Sequence, residues 1–142
     1  MPVTWGIDHA ACMVVATAEG VLRAHDIEDY LDGVARAATL SYRKIFDMSQ
    51  CSPELSPLDI TALGNRVRAY TNVTPMGPVA IVAGTDETYL HARLFEALAV
   101  ADRPLKIFRE RQAARHWLDS QPAPLPVEWS ATSDLSPTAP RL

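Results

Sequence analysis

Six consecutive apolar residues, Pro78-Val79-Ala80-Ile81-Val82-Ala83, constrain this chain most. A run this short has the length of a strand, and a strand with no polar face has to be covered on both sides. That is the pattern of an inner parallel strand, and parallel neighbours must be joined by crossovers, usually helices. The flanking segments supply them. Ile27, Tyr30, Leu31, Val34, Ala35 and Ala38 recur with helical period and predict a helix over 26–39. Asp26, Glu28 and Asp29 place negative charge in its first turn, where the helix dipole favours it. Ser56-Pro57-Leu58-Asp59 reads as a capping box with proline at the first helical position, and Ile60, Leu63, Val67 and Tyr70 continue a second helix. A third is expected over 86–101 and a last over 110–118, with Ala114, Trp117 and Leu118 inward.

The remaining β-type runs are Thr4–Ile7 and Cys12–Thr17, separated by Asp8-His9-Ala10 as a hairpin would be, then Arg43–Met48, ending at Asp47, and Lys106–Phe108. The order ββαβαβαβα predicts one α/β domain. It has a single mixed, largely parallel sheet of four or five strands and four helices, spanning residues 1–120. Residues 121–142 hold five of the eleven prolines and read as an extended tail, in which Leu125, Val127 and Trp129 alternate as a docking segment would.

Charge and composition narrow the function. A net charge of −4 argues against nucleic acid as a partner, and no apolar run reaches the ~18 residues of a membrane helix. The opening residues lack the basic and apolar regions of a secretory signal, so a cytoplasmic location is expected with both cysteines reduced. Cys12 reads as a small buried hydrophobe and Cys51 as a loop residue with no activating histidine nearby in sequence. Arg103, Lys106, Arg109, Arg111 and Arg115 read as a solvated basic edge, with a docking surface as the alternative.

No motif carries a reaction. His9, His25, His91 and His116 are not spaced as metal ligands, and no phosphate loop or nucleophile elbow occurs; no catalytic residue, metal or cofactor is expected. Gly84-Thr85-Asp86 joins a strand to a helix, where an anion site or a simple N-cap would both fit. Asp47 and Ser49 fall at the carboxyl edge of the parallel strands, where open α/β folds bind ligands, though a turn-forming carboxylate fits there too.

The segments Arg43–Met48, Val79–Gly84, Tyr89-x-x-Ala92-Arg93-x-Phe95-Glu96 and Phe108-Arg109 through Trp117-Leu118, in this order, resemble the SpoIIAA-like branch of the STAS superfamily over residues 3–119. The resemblance implies a mixed sheet with helices on one face and a non-enzymatic role in protein contact or, in some relatives, binding of an apolar or nucleotide-like ligand. Anti-sigma antagonists carry a phosphorylated serine in an Asp-Ser-Ser-Gly stretch. The corresponding stretch here, Glu54 to Thr61, lacks that motif and offers only Ser56 and Thr61.

Asp47, Ser49, Ser56 and Thr61 are thus the candidate regulatory or interaction residues of a protein-interaction module. Its partner is an unidentified protein, and the alternative is a binder of a small apolar or nucleotide-like ligand. The third helix is apolar around most of its circumference. Leu90, Leu94, Ala97, Leu98 and Ala101 form the expected inward face. Tyr89, Ala92, Arg93, Phe95 and Glu96 are then left as the contact surface of a homodimer, with cover by the last helix and the tail of the same chain as the alternative.

Overall fold

The N-terminal hairpin forms the antiparallel edge of the sheet. In the computed structural model, which describes residues 2–98 and 103–122, β1 (Val3–Asp8) pairs antiparallel with β2 (Met13–Leu22). Asp8 holds the turn, its carboxylate accepting from the Ala11 amide at 3.0 Å. β3 (Arg43–Pro53), β4 (Val79–Val82) and β5 (Leu105–Phe108) add in parallel, so sheet order equals chain order. Three helices make the crossovers, α1 (Ala24–Arg36), α2 (Pro57–Thr71) and α3 (Asp86–Leu98), and α4 (Arg111–Asp119) follows the last strand. This is the five-stranded, mostly parallel α/β sheet with four helices that the pattern predicts. No helix among the described residues is long and apolar enough to cross a membrane.

Each crossover joins a strand to its next neighbour in the same direction, so the right-handed rule puts α1, α2 and α3 on one face. α4 is not a crossover, and it covers the other face. Ala114 and Leu118 pack there with Met13, Ile45, Ala80 and Val82. Helices on one face only, as the resemblance implied, is therefore corrected to three on one side and one on the other. Period-2 alternation decides which strand residues serve which core: Phe46, Met48, Val79 and Ile81 face the three helices, and Ile45, Ala80 and Val82 face α4.

β3 runs past Asp47 because a register shift lets β2 and β3 keep pairing, with Thr17 opposite Asp47 and Glu19 opposite Gln50. Cys51 is thereby a buried strand residue rather than a loop thiol. Its Sγ–H donates to the Met48 carbonyl at 3.1 Å, and burial pushes its pKa up to about 11. Cys12 is half-buried in the hairpin turn at φ 52°, not sealed within the strand.

α2 packs chiefly on α1 and α3. Its tie to α1 is polar: Arg66 Nη2 donates to both carboxylate oxygens of Asp32 at 2.8 and 2.9 Å, and the Tyr70 hydroxyl donates to the same carboxylate at 2.5 Å. These bonds, Tyr70's first, hold the Asp32 carboxyl below the usual carboxylate range.

α3 turns the opposite way from the expected one. Thr88 and Ala92 are its buried residues, whereas Leu90 is 69% exposed and Ala97 is exposed. Its first turn is closed by Thr85 and Thr88, each amide donating to the other's hydroxyl at 3.1 Å. The tail residues Leu125, Val127 and Trp129, and the helix expected beyond Leu98, lie outside the described residues.

Candidate functional site

Asp47 and Ser49 come together at the β3 bulge. Asp47 Oδ1 accepts from the Ser49 amide at 3.0 Å, as an Asx-type turn does, and Oδ2 takes an ion pair from Arg111 of α4 at 3.1 Å. Ser49 Oγ accepts from the Gly84 amide at 3.1 Å, tying β3 to the end of β4. Ser56 and Thr61 sit apart from them, at the start of α2. Ser56 Oγ accepts from the Asp59 amide at 3.1 Å, and Asp59 Oδ2 accepts from the Ser56 amide at 3.0 Å, completing the capping box. Thr61 Oγ1 donates to the Pro57 carbonyl at 2.9 Å. Each of the four candidates is therefore occupied by a bond that shapes the backbone, and no shared cleft joins them among the described residues.

The five α3 residues divide between two directions. Ala92 is 1% exposed and Phe95 is half-buried, and both face the sheet within the same chain. Ala92 as a dimer contact is corrected on this ground: its methyl group is already covered. Tyr89 lies under Arg109, whose guanidinium carbon is 4.1 Å from the ring centroid. Arg93 and Glu96 point outward and pair with each other at 3.3 Å.

An apolar pocket between sheet and helices, which the ligand-binding alternative expects, is present as a cavity of about 80 Å³ between the sheet and α1, α2 and α3; what sequence reasoning missed is its cationic end. Ile60 and Leu63 of α2 form part of its wall; both are buried, yet neither belongs to either packed core. The lining is apolar from Leu22 and Leu55, at the carboxyl ends of the strands, past Phe46 and Ile81. Towards the amino ends it becomes cationic. Lys44 lies opposite Val79, which lies opposite Leu105, and Arg103 stands two residues before Leu105. Lys44, Arg103 and Tyr30 line the cavity here and His91 of α3 lines it as well, and among the described residues no aspartate or glutamate does.

Lys44 is 2% exposed. Its Nζ donates to the Tyr42 carbonyl at 2.8 Å and to the Leu40 carbonyl. Burial, and then the charge of Arg103, push its pKa well below the ordinary lysine value. Burial also lowers that of Arg103. Arg103 Nη1 reaches only the Met76 sulfur at 4.0 Å, and its Nε–H has no partner. Tyr30 is 4% exposed, its ring edge-on to Trp5 with centroids 5.5 Å apart, and its hydroxyl has no partner either. Burial raises its pKa, so it stays protonated as a donor. A buried donor without an acceptor costs about 1–3 kcal/mol; of the four such atoms among the described residues, the other two, Arg43 Nε and Arg66 Nε, lie off the cavity lining.

Part of this was readable. Lys44, Phe46 and Met48 alternate along β3, so the face of Phe46 is also the face of Lys44. Arg103 gave no such signal: it read as part of a solvated basic edge, and this is corrected, because its side chain lines the cavity.

The sheet order with three crossover helices on one face defines the SpoIIAA-like α/β fold, the one the order of segments resembles. Among solved structures the chain is similar to an uncharacterized protein of the DUF3478 family with a SpoIIAA-like fold from Shewanella loihica PV-4. The match has a TM-score of 0.56 and 18% identity, over 82% of this chain and 93% of the other. At that identity the likeness is one of fold. No family model and no curated protein matches the chain.

Proposed function

We propose that this protein is a non-enzymatic binding module that holds a small apolar ligand in the cavity between its sheet and α1–α3. The observation that carries this reading is a largely apolar space of about 80 Å³ beside the two hydrophobic cores of the domain. Protein interiors normally leave few voids larger than a water molecule. An 80 Å³ space lined largely by Leu, Ile, Val and Phe is one that suits an apolar molecule.

The test is a titration of the full chain with 1-hexanol, followed by amide NMR. Saturable, one-to-one shifts centred on Leu31, Phe46 and Ala92 are expected. Shifts that grow linearly without saturation, or that centre on exposed Leu58 and Leu90, would refute cavity binding.

A second reading, a protein-contact module that self-associates through α3, draws support from Leu90, which stands 69% exposed on that helix. Sedimentation equilibrium at micromolar concentration tests it: Leu90→Asp should dissociate the dimer, and a monomeric wild type would end that reading.

A further inference from the structure

The cavity's cationic end is the most unusual part of the molecule, because it holds buried donors that no acceptor meets. Arg103 Nε–H and the Tyr30 hydroxyl have no partner. Lys44 commits two protons to the Leu40 and Tyr42 carbonyls, and an anion beside it would favour its ammonium form, which has a third to give. Among the described residues no carboxylate lines the space, and Arg103 reaches a thioether sulfur there. An isolated apolar core has no use for such groups; a methionine and a phenylalanine would fill the positions at lower cost. Unmade bonds from Arg103 and Tyr30, beside the Lys44 amine on the same cavity lining, describe the complement of an anion with several lone pairs.

We infer that the ligand is an apolar chain ending in a carboxylate, its head group at Lys44, Arg103 and Tyr30 and its tail along Phe46 and Ile81 towards Leu22. This deepens the ligand-binding reading and rests on it. A carboxylate offers about four lone-pair sites, enough for all three donors, and brings one negative charge to a region that holds none. Charge-assisted bonds of this kind are stronger where water is excluded. The space also limits length. At ~10–15 Å³ per water-sized group, 80 Å³ takes about five to eight such groups, and a carboxylate of roughly six carbons, with its two oxygens, is at the upper end of that range.

The experiment compares four ligands of one chain length at pH 7 on the full chain: hexanoate, 1-hexanol, hexylamine and hexyl phosphate, each followed by amide NMR. Hexanoate is expected to bind at least tenfold more tightly than hexanol or hexylamine, with its largest shifts at Tyr30, Lys44 and Arg103. Tyr30→Phe removes one oxygen and keeps the ring, and Arg103→Gln removes the charge. Each is expected to weaken hexanoate at least fivefold while leaving hexanol within twofold. Equal affinity for hexanoate and hexanol overturns the head-group assignment and leaves the apolar site standing. Hexyl phosphate binding more tightly than hexanoate overturns the carboxylate in favour of a phosphate ester. Equal losses for hexanoate and hexanol in Tyr30→Phe would show that the hydroxyl acts on the shape of the cavity and not on the anion. Failure of hexanoate and hexanol alike would remove the ligand-binding reading together with this one.

Discussion

Ala92→Leu asks the cavity and the surface of α3 for opposite answers. Ala92 is 1% exposed and lines the cavity, so three added carbons have an 80 Å³ space to enter. At about 24 cal/mol per Å³, eliminating that volume is worth about 2 kcal/mol. Burying three methylene-sized groups at ~0.8 kcal/mol each gives a similar figure. Imperfect fit subtracts from both, since overpacked side chains typically cost about 1–3 kcal/mol. A net stabilisation of about 1 kcal/mol is expected, which at this chain length raises Tm by roughly 3–4 °C. Differential scanning calorimetry with and without saturating 1-hexanol reads it. The wild type should gain stability from hexanol by mass action, and the variant should gain little because the leucine occupies the site. A Tm several degrees below wild type in a chain with native secondary structure would show that the space does not exist as described. An unchanged Tm with a changed sedimentation coefficient would return Ala92 to an intersubunit surface.

Three further outcomes follow from particular contacts. Ser56→Ala removes the acceptor for the Asp59 amide and is expected to cost about 1 kcal/mol in urea unfolding, with Ser56→Asp recovering most of it. Asp32→Asn should destabilise by no more than about 1 kcal/mol at neutral pH, because the pair is partly exposed. The native carboxyl titrates below 3.8, so the unfolded chain takes up the proton first as pH falls. The contribution is therefore whole above 3.8 and lost below it, and urea midpoints of the two proteins should converge in acid. Gly77→Ala would set a Cβ 2.3 Å from the carbonyl oxygens of Ser41 and Tyr42, the latter a Lys44 acceptor. A loss of about 3 kcal/mol or more is expected, with soluble yield and Tm as the measures.

The sequence by itself determined the elements and their order. Six apolar residues in a row admit one environment, a strand covered on both faces, and that makes the intervening helices crossovers. Ser56-Pro57-Leu58-Asp59 located a helix start to the residue, because a capping box is completed within four positions of the chain and needs nothing beyond them. Asp47 was legible for the same reason: its bond to the Ser49 amide closes over two residues.

What tertiary structure decided has no such local cause. α3 is apolar nearly all round, so its period could not say which side faces the sheet. Contact with β3 and β5 turned Ala92 inward and left Leu90 outside. α4 follows the last strand without leading to another, so no handedness rule placed it, and it settled on the open face. Asp47 found Arg111 only because α4 lies there. The cavity belongs to no segment at all: it is the space left where α2, carried on α1 and α3, stands over the sheet. Tyr30, Lys44 and Arg103 come from a helix, a strand and a loop, and the donors they bring together have no counterpart in any one stretch of the chain.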